Sequence, residues 1–374
     1  ALRPLVHVRF GPLTSKHIGG LAGNTELYLC RREAGLDYQQ SFDIFYYRGR
    51  PCNQQLKIMW ERMLHVSNIA RPMYFLNRHL PGGRKHMTPW GEDGERDVHG
   101  LLERMPTHLS FTPEEERLGQ EALRLLGIPE GAPFVCFNAR DSAYFKTATP
   151  EDYKRSHDYR NSNVHNHVPA AEEMTKHGYF AVRMGAFVTE ALATSNPKII
   201  DYATRSRSDF MDIYLCAKCY FFIGDQAGLN QVSLIFRRPV AYVNSVPLEQ
   251  IVTWGPDNLF IPKKLWLDKE NRFLAFHELF NTKINGIPLS DLRRSEKYEQ
   301  LNIELIENTP EEITALAVEM DKRLKGTWQT TEEDEELQRR FWSLFKAREG
   351  EDNHGIIESH IGAEFLRQNQ ELLD

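Results

Sequence analysis

The sequence lacks most of what marks a membrane, secreted or nucleic-acid-binding chain. No window approaches ~18 uninterrupted apolar residues, which excludes a helical membrane span. Cysteine is sparse, with five in 374 residues, and a low odd count favours reduced thiols over a disulfide framework. No Asn-x-Ser/Thr sequon occurs, in keeping with a non-secretory chain. Basic residues are not in surplus either: Lys+Arg number 46 against 52 Asp+Glu, a net charge of -6. Gripping nucleic acid needs the opposite balance, although one local basic pocket for a diphosphate is compatible with it. Ala1 to Phe10 reads as a strand, not as a charged-then-apolar leader. The expectation is a cytoplasmic protein with no integral membrane segment and no nucleic-acid partner; peripheral contact with a membrane stays open.

What is present is an ordinary globular composition, 41% hydrophobic and 26% charged, in a chain too long for one core. Leu5 to Phe10 alternates as a strand that meets a turn at Gly11-Pro12, followed by a helix over 24–32, a strand over 42–47 and a helix over 54–64. Residues 81–99, rich in Gly, Pro and charge, read as a long mobile loop. Thr112-Pro113-Glu114-Glu115 starts a helix to Leu126, and the turn-rich stretch Gly127 to Pro133 follows as the best boundary. Strands over 134–138, 179–183, 198–202, 220–223 and 239–243 then alternate with helices over 170–177, 209–217 and 228–236. Thr309-Pro310-Glu311-Glu312 opens a helix to Leu324, and two polar amphipathic helices are expected at about 332–348 and 354–370. This rhythm predicts an α/β protein with two doubly wound, Rossmann-like domains. They are placed at 1–130 and 131–326, with crossing C-terminal helices over 327–374.

Parallel sheets bind ligands at the carboxyl ends of their strands, so chemistry is sought there. The first strand of the second half runs into Arg140 and Asp141. An Arg can fork onto a phosphate, and the adjacent Asp can orient it or accept a proton; a structural Arg–Asp pair is the alternative. Lys146 and the polar run through Arg160 and Asn161 follow, as a surface, linker or binding loop. The next strand ends in Arg183-Met184-Gly185, where Gly185 permits close approach and Arg183 adds a second cation for a diphosphate clamp. The strand at 220–223 opens into Gly224, Asp225, Gln226, Ala227, Gly228 and Asn230, either an anion and sugar-hydroxyl site or a tight turn with an Asp cap. In the first half, Gly19 and Gly20 lie between strand and helix without the Gly-x-Gly-x-x-Gly spacing. His17 beside them is a candidate base, and Glu26 a second.

Other features point away from function. Cys216-Ala217-Lys218-Cys219 has zinc spacing but no second pair, so buried thiols are expected. His157, His165, His167 and His177 read as solvated loop histidines. With no Asp-x-Asp at a strand end and no phosphate-binding P-loop, neither a bridging metal nor any other cofactor is expected.

Several stretches resemble a family of bacterial glycosyltransferases linked to surface-polysaccharide and biopolymer glycosylation. They are Ile18, Gly19, Gly20 and Gly23 through Cys30; Tyr159-Arg160-Asn161-Ser162-Asn163; Arg183-Met184-Gly185; Gly224 to Gly228; and Ser359, His360, Gly362, Glu364 and Leu366. The placement of Arg140-Asp141 and Asp225 is also loosely similar to fucosyltransferases of the GT-B fold, although their His-x-Arg pattern is absent, Asn138 preceding Ala139-Arg140. The resemblance implies a GT-B architecture with a nucleotide-sugar donor mainly on the second domain and a carbohydrate or other hydroxyl acceptor on the first. The expectation is a metal-independent, inverting glycosyltransferase of glycan or natural-product biosynthesis. A nucleotide-sugar epimerase or hydrolase, or a non-catalytic nucleotide-sugar binder, is the alternative.

Overall fold

Phe134–Asn138 is apolar along nearly its whole length and buried at every position, as a strand covered on both faces must be. In the computed structural model, which describes residues 7–37, 40–89, 96–148, 155–280, 283–284, 287–288, 292–346 and 355–374, it lies inside a seven-stranded sheet. Contacts within the chain divide it into two units. The first comprises Ala1–Ala122, Ser208–Lys218 and Gly228–Arg238, the second Leu123–Arg207, Cys219–Ala227 and Pro239–Asp374.

The first unit holds three parallel strands, β1 (His7–Leu13), β2 (Ser41–Tyr47) and β3 (His65–Val66), in that order. β1 continues through Gly11-Pro12, where a turn was expected. It is an edge strand, so the missing amide of Pro12 breaks no ladder, and a Cβ on Gly11 would lie 1.9 Å from Thr88 Oγ1. The segment that covers this edge belongs to the stretch expected as a mobile loop. Gly83–His86 forms a 3-10 turn, Phe10 bridges Met87, and Thr88 N donates to Phe10 O at 3.0 Å. Residues 90–95 of that stretch lie outside the described residues. Helix Gln54–Met63 is capped by Asn53, whose side chain accepts from Leu56 N. Helix Asp209–Lys218 joins this unit because Asn53 Nδ2 donates to Asp209 O at 2.9 Å and Phe111 packs on Tyr214.

The second unit is doubly wound. Its parallel strands are β4 (Phe134–Asn138), β5 (Phe180–Arg183), β6 (Ile199–Ile200), β7 (Phe222–Asp225), β8 (Val240–Ser245) and β9 (Leu259–Pro262). They lie in the order β9-β8-β7-β4-β5-β6. The chain therefore builds outward from β4 to β6, then returns to the other side of β4 with β7. That reversal is a topological switch point, and it lies between β4 and β7.

Short antiparallel strands that periodicity did not reveal follow. They are β10 (Lys264–Leu267), β11 (Arg272–Phe273) and β14 (Ile303–Ile306) in one sheet, and the pair β12 (Lys283–Ile284) and β13 (Ile287–Pro288) in another. Helix Pro310–Leu324 starts at the expected capping box of Thr309 and Glu312. The last expected helix is instead β15 (His360–Ile361), paired parallel to β9, and the short helix Ala363–Gln368. Pairing with β9 lets Ile361 be fully buried, and Gly362 is pressed so close that a Cβ would meet Ile261 and Leu316 at 2.9 Å.

Candidate functional site

The switch point collects polar side chains from the tips of β4, β7 and β8. Asp225 ends β7 and is 1% exposed. Its Oδ2 accepts from the backbone amide of Arg140 at 2.6 Å and from Ser162 Oγ at 2.5 Å, and its Oδ1 accepts from Asn244 Nδ2 at 2.9 Å. Asn244 and Asn308 then bond each other reciprocally through backbone and side chain, at 2.6 and 2.7 Å. Asp225 therefore does not present its carboxylate to sugar hydroxyls, as its position in the sequence had implied. It ties the strand tips together.

Around this hub stand three cations. Arg140 donates to the carbonyl of His157 at 3.0 Å and to Asn161 Oδ1 at 2.5 Å. Arg160 donates to the carbonyl of Gln226. Lys263, just past β9 and 4% exposed, donates to the carbonyls of Asn161 at 2.6 Å and Tyr159 at 3.3 Å. Like charge bears on two of them. Burial first and Arg160 second push Arg140 down to about 10, against the pull of Asp225. Burial lowers Lys263, and Arg140 adds to that against Asp225 and Glu307. His157 is lowered by burial and then by Arg140 and Arg160. An anion placed among them would remove this repulsion.

Of the residues expected in the site, Arg140, Arg160, Asn161, Asp225 and Gln226 are brought together. Arg183 is not. It is 2% exposed and lies 3.4 Å from Asp201 Oδ2, with a further bond to the carbonyl of Glu190 at 2.7 Å. The cations that stand beside Arg140 are therefore Arg160 and Lys263, not Arg183. Gly185 is tight for a local reason, because a Cβ there would lie 2.7 Å from Val188 Cγ1. Asp141 caps helix Ala143–Ala148, its Oδ1 accepting from Ala143 N at 2.7 Å and its Oδ2 from Thr189 N at 3.0 Å. Both of its oxygens thus hold backbone amides in place. Lys146 is exposed on that helix, and Ala227 is half-buried after β7.

In the first unit, Gly19 and Gly20 are buried and helical instead of forming an open loop, Gly20 beginning the π-helix Gly20–Asn24. They admit helix Gly228–Ile235, since a Cβ on Gly228 would sit 2.7 Å from Ile18 Cγ2 and 2.9 Å from Gly19 N. Asn230 is buried on that helix. His17 is exposed after β1. Glu26 is buried and ion-paired to Arg237 at 2.7 Å and to His108 at 3.2 Å, which removes it as an accessible base. Glu26, Cys30 and His108 have ligand atoms within 4.8 Å of one another. The same guanidinium reaches Cys30 Sγ at 3.7 Å, and a cation already in the cluster opposes a metal.

Two residues of the site escaped sequence reasoning. Lys263 lies between two short strands with no motif around it. His167 reads as a solvated loop histidine, yet it is fully buried with Nε2 3.8 Å from Asp225 Oδ1. Its neighbours Val164 and Ala170 at helical spacing were the available signal. Cys216 and Cys219 are buried as expected.

No family model matches the chain, and no curated protein does. Among solved structures it is similar to the glycosyl transferase family 9 protein from Veillonella parvula DSM 2008, at 12% identity over 64% of this chain and 80% of that one, with a TM-score of 0.39. It is also similar to E. coli ADP-heptose LPS heptosyltransferase II, at 12% identity over 64% and 86%, with a TM-score of 0.38. A third likeness is to the iron-containing dodecameric glycosyltransferase TibC of enterotoxigenic E. coli H10407, at 12% identity over 66% and 63%, with a TM-score of 0.36. Scores this low do not establish kinship, and the site stands on its own geometry.

Proposed function

We propose that the protein is a glycosyltransferase that binds a nucleotide-sugar diphosphate at the switch point of the seven-stranded sheet and passes the sugar to a hydroxyl of a glycan or natural-product acceptor. One observation carries this reading: Arg140, Arg160 and Lys263 converge on the tips of β4, β7 and β9. Negative charge grows on a departing nucleoside diphosphate as the glycosidic bond breaks, and fixed cations stabilise that growth. Three of them supply the charge that a divalent ion gives in other designs, in keeping with metal-independent chemistry. Both Asp141 and Asp225 have their oxygens engaged by protein donors, so neither is free to form a covalent sugar intermediate, which favours a single inverting displacement. His17 remains the candidate base, because it is exposed at the carboxyl end of β1.

The test is a thermal-shift and calorimetric series with nucleosides, nucleoside monophosphates, nucleoside diphosphates and inorganic pyrophosphate. A ligand held by the native state at about 100 times its Kd raises stability by about 2.7 kcal/mol, and the diphosphates should do so where nucleosides do not. Donor turnover should then require an acceptor. Indifference to every diphosphate would remove the donor site, and a new sugar nucleotide formed without acceptor would make the protein an epimerase.

A further inference from the structure

Residues 62–91 contain five Lys and Arg and no Asp or Glu, inside a chain of net charge -6. Such segregation concentrates positive potential on one part of the surface. Within it, helix Ala70–His79 is held to the first unit by Ala70, Tyr74 and Asn77. Tyr74 lies 5.7 Å from Tyr46 between ring centres, and Asn77 Nδ2 donates to His86 O at 3.3 Å.

The rest of the helix faces outward, and along one side of it the exposed residues are apolar. Ile69, Met73, Leu76 and Leu80 recur at i, i+4, i+7 and i+11, which places them in one stripe. They are 67, 38, 51 and 49% exposed, and Phe75 beside them is 43% exposed. Arg71 and Arg78 lie on the other flank of the same helix, and Arg84 and Lys85 lie on the 3-10 turn that follows it. None of these four makes an ion pair among the described residues.

We infer that this face docks on the headgroup surface of an anionic lipid bilayer. The apolar stripe would enter the boundary between headgroups and acyl chains, and the four cations would meet lipid phosphates. Water alone is a poor partner for the stripe, and an acidic partner without apolar surface would leave it unburied. Only the combination satisfies both halves of the face. The inference does not depend on the donor site, which lies in the other unit.

Co-sedimentation of the full chain with vesicles tests it, using phosphatidylcholine alone and phosphatidylcholine mixed with phosphatidylglycerol. Binding should appear with the anionic vesicles and fall steeply as salt is raised, because the Debye length shrinks to about 3 Å at 1 M. Arg71→Ser with Arg78→Ser should weaken the partition roughly thirtyfold, at about fivefold per basic residue near the surface. Ile69→Ser with Leu76→Ser should weaken it as well, and both pairs are exposed, so the unfolding midpoint should not move. Equal binding to neutral and anionic vesicles, or binding indifferent to both variants, overturns the inference. Concentration-dependent self-association abolished by Ile69→Ser with Leu76→Ser, without vesicle binding, also overturns it and makes the face a contact between copies.

Discussion

The carboxylate of Asp225 receives the backbone amide of Arg140 at 2.6 Å, so the tip of β7 fixes the tip of β4 and aims the guanidinium that follows. The acid organises the site without touching what the site would bind. Replacing it removes the acceptor for three donors inside the unit. Asp225→Ala should destabilise the protein by roughly 3 kcal/mol or more, the cost of leaving buried polar groups unpaired. Urea unfolding measures it, and a loss below about 1 kcal/mol would deny Asp225 its role as hub.

Arg160 is the cation least committed to the fold, with one carbonyl acceptor at Gln226. Arg160→Gln should leave the unfolding midpoint nearly unchanged, since it also relieves the repulsion on Arg140. Nucleoside diphosphate affinity should fall about ten- to a hundredfold, the worth of one charge-assisted hydrogen bond. Calorimetry on the variant decides; an unchanged Kd excludes Arg160 from the clamp.

Arg183 should behave in the opposite way. Arg183→Met leaves Asp201 buried without its partner, and breaking such a pair costs about 3–5 kcal/mol. Diphosphate affinity of the folded variant should stay within about twofold, well under the tenfold that 1.4 kcal/mol represents. A large loss of affinity in a stable variant would return Arg183 to the clamp.

Affinity for a nucleotide sugar should rise as pH falls through His157. Burial first, and then Arg140 and Arg160, hold the imidazole below its ordinary value of 6.5, and an anion that neutralises these cations lets that value rise. The protonated protein then binds more tightly, and the gain appears as pH drops below about 6.5. A nucleotide sugar is the right probe, because its esterified phosphates do not titrate in this window. Calorimetry at pH 5.5 and 7.5 should show the gain in the native protein and lose it in His157→Gln.

His167 makes a prediction about stability. Burial lowers its pKa against the opposing pull of Asp225. A depressed folded value means the unfolded chain binds the proton more readily. The contribution is therefore present above about 6.5 and is lost as pH falls through the folded value. Urea midpoints should drop between pH 7 and pH 5, and His167→Leu should flatten that slope. A slope of the same size in the variant would show that other groups set it.

Much of the fold was legible along the chain. The continuous apolar run at 134–138, the capping signals at Thr112 and Thr309 and the strand–helix alternation all arise from neighbours in sequence, and each fell where it was expected. The exceptions were short or edge elements. β1 ran on through Gly11-Pro12 because its outer side is an edge, and β15 replaced a helical turn because β9 offered a partner. Two-residue strands such as β3 and β15 carry no period to read.

The site was half legible. Arg140, Arg160, Asn161 and Asp225 were named because strand tips are where parallel sheets bind ligands, and that rule needs no coordinates. Which arginine has a carboxylate beside it does need them. Local sequence determined that the second half is a parallel sheet with cations at its tips. Only the tertiary structure decided that Asp201 neutralises Arg183 while Lys263 joins Arg140 and Arg160, because charge acts across space and the partners come from strands far apart in the chain.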